Sequence, residues 1–157
     1  MKKALIIHNI PSFKGWETCF HYLMEKSDNF KIIFQGNKNT PATGELNAGK
    51  KEFLDLPSTS ISSYEGMENS IELAGELSKA AQEIFLHFMA PSFNGHKPDL
   101  WSFQLFKGKE VTLIVEDFSV AILFLEEGEL EYLTSRGIDT QNMLEADIRL
   151  ILRENEA

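Results

Sequence analysis

Hydrophobic and polar positions at the start of the chain follow the pattern of a strand, a helix and a second strand. Residues 3–8 (KALIIH) contain a continuous apolar run, which is typical of a strand buried on both faces. Residues 15–26 carry four large apolar side chains at helical spacing: Trp16, Phe20, Leu23 and Met24. Residues 30–35 (FKIIFQ) form the next strand. A strand, a helix and a strand in such close succession predict a right-handed crossover that joins a parallel pair of strands.

The middle of the chain combines a polar segment with a long helical pattern. Residues 36–50 are rich in Gly, Asn, Thr and Ala, so we expect a flexible loop there. Residues 51–57 (KEFLDLP) predict a short strand that ends at Pro57. Over residues 66–89 the apolar positions step by three and four, and glutamates occupy the opposite positions. This pattern predicts a long helix with Ser63 as its cap.

Three strand-like runs and two helical patterns follow. The runs LWSFQLF, EVTLIVED and FSVAILFLEE are joined by short links, which predicts an antiparallel three-strand meander with VAILFL as a central strand. One helix is expected to end at Gly137, and a second to begin near residue 140. The predicted fold class is α+β: an α/β-like N-terminal βαβ unit, then the meander and two C-terminal helices, with helices packed on a mixed sheet. We expect residues 1–157 to form one globular domain.

The amino-acid composition argues against a membrane-spanning, secreted or disulfide-bonded protein. The chain has 157 residues, 43% of them hydrophobic, and its twelve phenylalanines predict an aromatic-rich core or an aromatic contact surface. No run approaches the ~18 apolar residues of a membrane span. The apolar run after Lys2 and Lys3 is too short for a secretory signal, so we predict a cytoplasmic protein. Cys19 is the single cysteine, which excludes an internal disulfide and a multi-cysteine metal site.

Charge is distributed unevenly along the chain. The formal net charge is −9. Residues 1–60 hold 8 lysines against 6 acids, whereas residues 110–157 hold 3 arginines against 12 acids, which is again −9. A surface of this sign repels nucleic-acid phosphates and anionic lipids, so we expect neither nucleic acid nor membrane as a direct ligand. A basic protein partner is favoured instead.

Recognisable catalytic and metal-binding motifs are missing from the sequence. The loop NIPSFKG after the first strand has one glycine and matches neither the Rossmann nor the P-loop pattern. The four histidines (His8, His21, His87 and His96) lack the spacings typical of zinc ligands, and no G-x-S-x-G elbow occurs. We therefore predict no cofactor and no metal. The sequence leaves catalytic activity undecided and favours a non-catalytic role.

Acidic and aromatic residues near the third meander strand form the candidate partner-binding site. A cluster of acids beside aromatic side chains suits docking of a basic protein, because aromatic anchors supply affinity and charges raise the association rate. The predicted site consists of Glu116, Asp117, Phe118, Glu126, Glu127, Glu129, Glu131 and Tyr132.

Two hypotheses follow for the function. In the first, the chain is a binding module that docks a basic protein through this acidic C-terminal surface. In length and acidity it resembles small inhibitor or immunity-type proteins that neutralise basic toxins, a likeness of composition that no motif carries. In the second, it is an α/β enzyme or small-ligand binder whose pocket at the end of the first strand is lined by His8, Asn9 and Trp16, with residues 36–50 as a lid. A homo-oligomeric subunit is a further alternative.

Overall fold

A computed structural model describes residues 2–41, 43–57, 59–149 and 151. The described part contains eight strands: β1 (Lys3–Ile7), β2 (Asn29–Gln35), β3 (Ser60–Ser63), β4 (Ser70–Glu76), β5 (Phe103–Lys107), β6 (Glu110–Glu116), β7 (Val120–Leu125) and β8 (Leu144–Ala146). It also contains four helices with complete bounds: α1 (Trp16–Lys26), α2 (Lys50–Leu54), α3 (Lys79–Phe93) and α4 (Glu127–Ser135). The α+β class predicted from the sequence is confirmed.

The strands form one sheet in the order β3-β4-β2-β5-β6-β7-β1-β8. Each neighbouring pair is antiparallel, so the sheet is antiparallel rather than mixed. The predicted parallel pair of β1 and β2 is wrong, because β5, β6 and β7 lie between these two strands. Strand β2 alternates buried and exposed residues, which is typical of an antiparallel strand with one solvated face.

The meander and the first helix are confirmed. Strands β5, β6 and β7 pair in sequence, and β7 occupies a central place between β6 and β1. Helix α1 buries its predicted apolar stripe: Trp16, Phe20, Leu23 and Met24. Gly15 precedes this helix at φ 93°, a left-handed conformation that glycine adopts without steric cost.

One face of the sheet packs against the helices and forms the main core. Six phenylalanine rings continue through this core with centroids 4.8 to 6.2 Å apart: Phe20, Phe30, Phe34, Phe53, Phe85 and Phe103. Leu5 near the start of the chain and Ile138 near its end belong to the same cluster. The opposite face carries a smaller cluster around Ile114, Ile122 and Phe124. Burial of apolar area on both faces contributes most of the favourable free energy of folding.

The helix predicted over residues 66–89 is wrong in its first half. Residues 70–76 form β4, which pairs with β2 and β3, and helix α3 begins only at Lys79. Ser78, not Ser63, is the cap, since its hydroxyl accepts from the Ala81 N–H at 3.2 Å. In β4 the buried side chains of Ile71 and Leu73 alternate with neighbours on the other face.

Two shorter elements also differ from the prediction. Residues 50–54 form helix α2 instead of a strand, and the ring of Phe53 packs against Phe85 with the centroids 4.8 Å apart. Helix α4 and its end at Gly137 are confirmed, because the Ile138 N–H returns to the Leu133 carbonyl at 3.0 Å.

The second C-terminal helix does not begin near residue 140. Residues 140–142 form a 3-10 turn, residues 144–146 pair with β1 as β8, and helical backbone starts at Ile148. The remainder of that predicted helix lies outside the described residues, except for Ile151.

Candidate functional site

Helix α4 and the residue before it carry four of the six acids that the sequence assigned to partner binding. It starts with a reciprocal capping box, in which the Glu129 side chain accepts from the Glu126 N–H at 2.9 Å and Glu126 accepts from the Glu129 N–H. Acids in the first turn also complement the positive end of the helix dipole. Local sequence therefore explains why these glutamates stand together.

Glu129 is a structural residue that joins α4 to α1. Its carboxylate accepts hydrogen bonds from the Tyr22 hydroxyl at 2.7 Å and from Lys26 Nζ at 2.6 Å. The Lys26 and Glu129 side chains are only 18% and 17% exposed. Burial by itself raises the pKa of Glu129, but the hydrogen bonds from the Glu126 backbone, Lys26 and Tyr22 outweigh it and hold the pKa below its usual value. Burial and the Glu129 carboxylate raise the pKa of Tyr22.

The eight predicted partner-binding residues do not form one patch. Glu116, Asp117 and Phe118 lie at the turn before β7, whereas Glu126 and the α4 acids follow the other end of that strand. A strand rises ~3.4 Å per residue, so the two groups are separated by roughly 17 Å along β7. Sequence proximity therefore grouped side chains that the extended strand keeps apart.

The turn between β6 and β7 is held by contacts of its own. Asp117 and Phe118 have φ of 51° and 64°, the pair of left-handed conformations that a tight hairpin requires. The Phe118 N–H donates to the Trp101 carbonyl at 3.1 Å, and Lys97 Nζ lies 4.2 Å from the centroid of the Phe118 ring. The Phe118 ring therefore already forms a cation–π contact with Lys97 of the same chain.

Three exposed side chains of α4 define what we call the α4 surface: Glu127, Glu131 and Tyr132. Tyr132 is 46% exposed, and its ring lies 5.3 Å from that of Tyr22. Glu127 and Glu131 are one helical turn apart and share a side of the helix. Within the described residues, neither has a lysine or arginine within 4.0 Å.

The alternative pocket at the end of the first strand separates into two environments. His8 and Asn9 are exposed after β1. Trp16 is 2% exposed, and its indole N–H donates to the Ser92 hydroxyl at 2.9 Å inside the core. Ser92 in turn donates to the Met89 carbonyl at 2.6 Å, which satisfies both polar groups. The structure thus places Trp16 in the main core, away from the solvent that His8 faces.

Lys50 is a buried cation that sequence reasoning missed. It is 0% exposed, and its Nζ donates to the Gln35 carbonyl at 2.5 Å. No carboxylate of the described residues lies within 4.0 Å of it, and burial lowers its pKa. Asn47 accepts from the Gln35 N–H at 2.9 Å, so the carboxyl end of segment 36–50 is attached to β2. No sequence pattern indicates which lysine of a polar segment is buried.

A groove on the sheet face opposite helices α1 to α4 was also not predicted. The β-face groove has a volume of about 510 Å³, and its partly exposed apolar lining residues are Phe106 and Ile148, whereas Val111, Ile114 and Phe124 are buried. Three lysines, Lys2, Lys31 and Lys109, line it together with one acid, Glu110. The lining residues come from five separate parts of the chain, and only the tertiary structure brings them together.

Over residues 2–41, 43–57, 59–149 and 151, no group of three or more His, Cys, Asp or Glu is arranged to hold a metal ion. In the same residues, no helix has the length and apolar character that crossing a membrane requires.

Comparison with known proteins gives no match: no family model fits the chain, and neither a curated protein nor a solved structure matches it.

Proposed function

We propose that the protein is a cytoplasmic, non-catalytic binding module that docks a basic protein partner through the α4 surface. An inhibitor or immunity-type role against a basic enzyme or toxin belongs to this class. The observation that supports the proposal best is the half-exposed ring of Tyr132 on the same helix as two exposed acids, Glu127 and Glu131, which have no ion pair within the described residues.

The chemistry of the α4 surface suits a cationic partner. An exposed tyrosine supplies a rigid apolar ring with a polar tip, which makes it an effective anchor in an interface. The ring of Tyr22 packs against that of Tyr132, with the two centroids 5.3 Å apart. The charges of Glu127 and Glu131 attract lysine and arginine side chains and raise the association rate at low salt.

Glu129 is not part of the proposed contact, although the sequence placed it there. Its negative charge already forms an ion pair with Lys26. Its other carboxylate contacts hold Tyr22 and the start of α4 in place. Glu116, Asp117 and Phe118 belong to a different end of the sheet and would contact a partner only if its interface were large.

The pocket around His8, Asn9 and Trp16 has less support. A ligand reaching His8 would not touch the Trp16 ring, because the core encloses that ring. We therefore retain docking through the α4 surface as the single candidate function.

A capture experiment with matched charge reversals tests the proposal. The immobilised protein is incubated with lysate of its source cells at low and high salt, and the retained proteins are identified by mass spectrometry. The test variant is Glu127→Lys with Glu131→Lys. The control is Glu52→Lys with Glu83→Lys, which changes the net charge equally at exposed positions of α2 and α3.

We expect one basic protein to be retained by the wild type and the control at low salt, and to be lost at high salt and from the test variant. Equal loss from both variants would show a dependence on net charge alone. Retention by the test variant, or capture of no basic protein, would refute docking through the α4 surface.

A further inference from the structure

The β-face groove combines an apolar lining with positive charge, in a protein that is acidic overall. Its volume of about 510 Å³ lies within the ~300–1,000 Å³ range of small-molecule sites. The proposed docking surface is on α4, so the groove requires a separate explanation.

A β-bulge shapes the lining of the groove. The pairing of β5 with β6 shifts between Leu105 and Phe106, so that Phe106 lies opposite Val111 and Thr112 is the extra residue. Thr112 is 1% exposed, and its hydroxyl lies 2.6 Å from that of Ser27. Because the Ser27 hydroxyl donates to the Leu23 carbonyl at 2.6 Å, Thr112 is the donor to Ser27. This buried pair holds the bulge against the end of α1.

Positive charge dominates the rim of the groove. Three lysines against one glutamate give the lining residues a net charge of +2, whereas the whole chain carries −9. The Glu110 carboxylate accepts a hydrogen bond from Lys2 Nζ at 2.7 Å, and this hydrogen bond lowers the pKa of Glu110. The remaining charge belongs to Lys31 and Lys109.

Of the two remaining lysines, Lys31 has only a long ion pair, and Lys109 has no ion pair within the described residues. Lys31 Nζ lies 3.8 Å from the Glu72 carboxylate, which is a long distance for an ion pair, and the two side chains are 48% and 25% exposed. The same Nζ lies 5.4 Å from the centroid of the Phe106 ring. Lys109 follows Gly108 in the β5–β6 turn, and no carboxylate of the described residues lies within 4.0 Å of it. Lysine is a strongly hydrated point charge that suits a compact anionic group.

We propose that the β-face groove binds an amphipathic anion, specifically an alkyl carboxylate. The alkyl chain packs against Phe106 and Ile148, which are the partly exposed apolar lining residues, and the carboxylate is held by Lys31 and Lys109. Burial of the chain supplies most of the affinity, and the lysines select the sign of the head group.

Titration with defined amphiphiles tests the proposal. Decanoate, hexanoate and decyltrimethylammonium, each below its micellar concentration, are titrated into the full chain, with calorimetry for the affinity and amide NMR shifts for the location. The test variant is Lys31→Ala with Lys109→Ala. The control is Lys3→Ala with Lys107→Ala, which removes the same charge from β1 and β5 at exposed positions that do not line the groove.

We expect decanoate to bind more tightly than hexanoate and at least tenfold more tightly than decyltrimethylammonium, with shifts at Gln104, Phe106 and Ile114. The test variant should weaken decanoate binding about fivefold, as the loss of two partly exposed charges implies, and the control by less than about twofold. Absence of decanoate binding, equal binding of the cationic amphiphile, equal losses in both variants, or shifts confined to another surface would overturn the proposal.

Discussion

Replacement of Glu129 by glutamine removes one negative charge at the contact between α1 and α4 and retains the shape of the side chain. The amide oxygen still accepts from the Glu126 N–H, so the helix cap persists. The other atom of the amide is a nitrogen, which donates and cannot accept, so the ion pair with Lys26 at 2.6 Å is lost and the Tyr22 hydroxyl at 2.7 Å loses its acceptor. The change therefore removes both the charge and one acceptor from the contact.

The expected loss of stability lies between two limits. Exposed ion pairs contribute about 0–1 kcal/mol, and breaking a fully buried pair costs about 3–5 kcal/mol. With 18% and 17% of the two side chains exposed, we expect about 2 kcal/mol for Glu129→Gln. In a protein of this size that corresponds to a decrease in Tm of about 4–8 °C.

The pH dependence gives a second readout. Because the folded-state pKa of Glu129 is lowered, its contribution to stability is fully present above the ordinary carboxyl pKa and is lost as pH falls through the folded value. The difference between wild type and Glu129→Gln should thus shrink as the solution is acidified below about pH 4.5.

Urea unfolding at several pH values measures both effects, with Glu131→Gln as the control. Glu131 is exposed on the same helix, so its replacement should change the free energy of unfolding by less than about 0.5 kcal/mol. The reasoning is refuted if the two variants are equally stable, or if the deficit of Glu129→Gln is the same at acidic and neutral pH.

Two further predictions concern buried or strained positions. Burial lowers the folded-state pKa of Lys50, so the free energy of unfolding should rise with pH between that value and the ordinary lysine pKa. Lys50→Met should be more stable than the wild type at neutral pH, with a gain that disappears as pH rises through this range; a constant difference in urea unfolding would contradict the assignment. Gly15→Ala should cost about 2–3 kcal/mol, because φ is 93° and a Cβ would overlap the Ile138 side chain. Gly95→Ala, at φ 86° with open space around it, should cost only about 1 kcal/mol, and equal losses in the two variants would refute the steric argument.

Helices and strands with a strong local pattern could be predicted from the sequence. The apolar stripe of α1, the run of β7 and the stop of α4 at Gly137 all appear where the spacing of residues indicates them. Residues 70–76 show where such reasoning fails. A helical period fits Ile71, Ala74 and Leu77, whereas the alternation of a strand fits Ile71, Leu73 and Leu77. The pattern alone therefore does not decide between a helix and a strand. Hydrogen bonding of β4 to β2 and β3 decides in favour of the strand.

The candidate site was predictable only in part. The exposed acids of α4 and Tyr132 can be recognised as a cluster in the sequence, since they are neighbours on one helix. The role of Glu129 depends on Tyr22 and Lys26, more than a hundred residues away in the chain. The lysines of the β-face groove are similarly scattered, and no spacing rule connects them.

The sequence by itself determined the α+β class, the meander, helices α1 and α4 and the excess of acids toward the end of the chain. These properties depend on residues within a few positions of each other, where side-chain periodicity and backbone capping act. Only the tertiary structure decided the strand order, which charges remain available and where positive charge meets an apolar lining. Such properties arise from contacts between distant segments, and a buried ion pair or an added strand changes them without altering any local pattern.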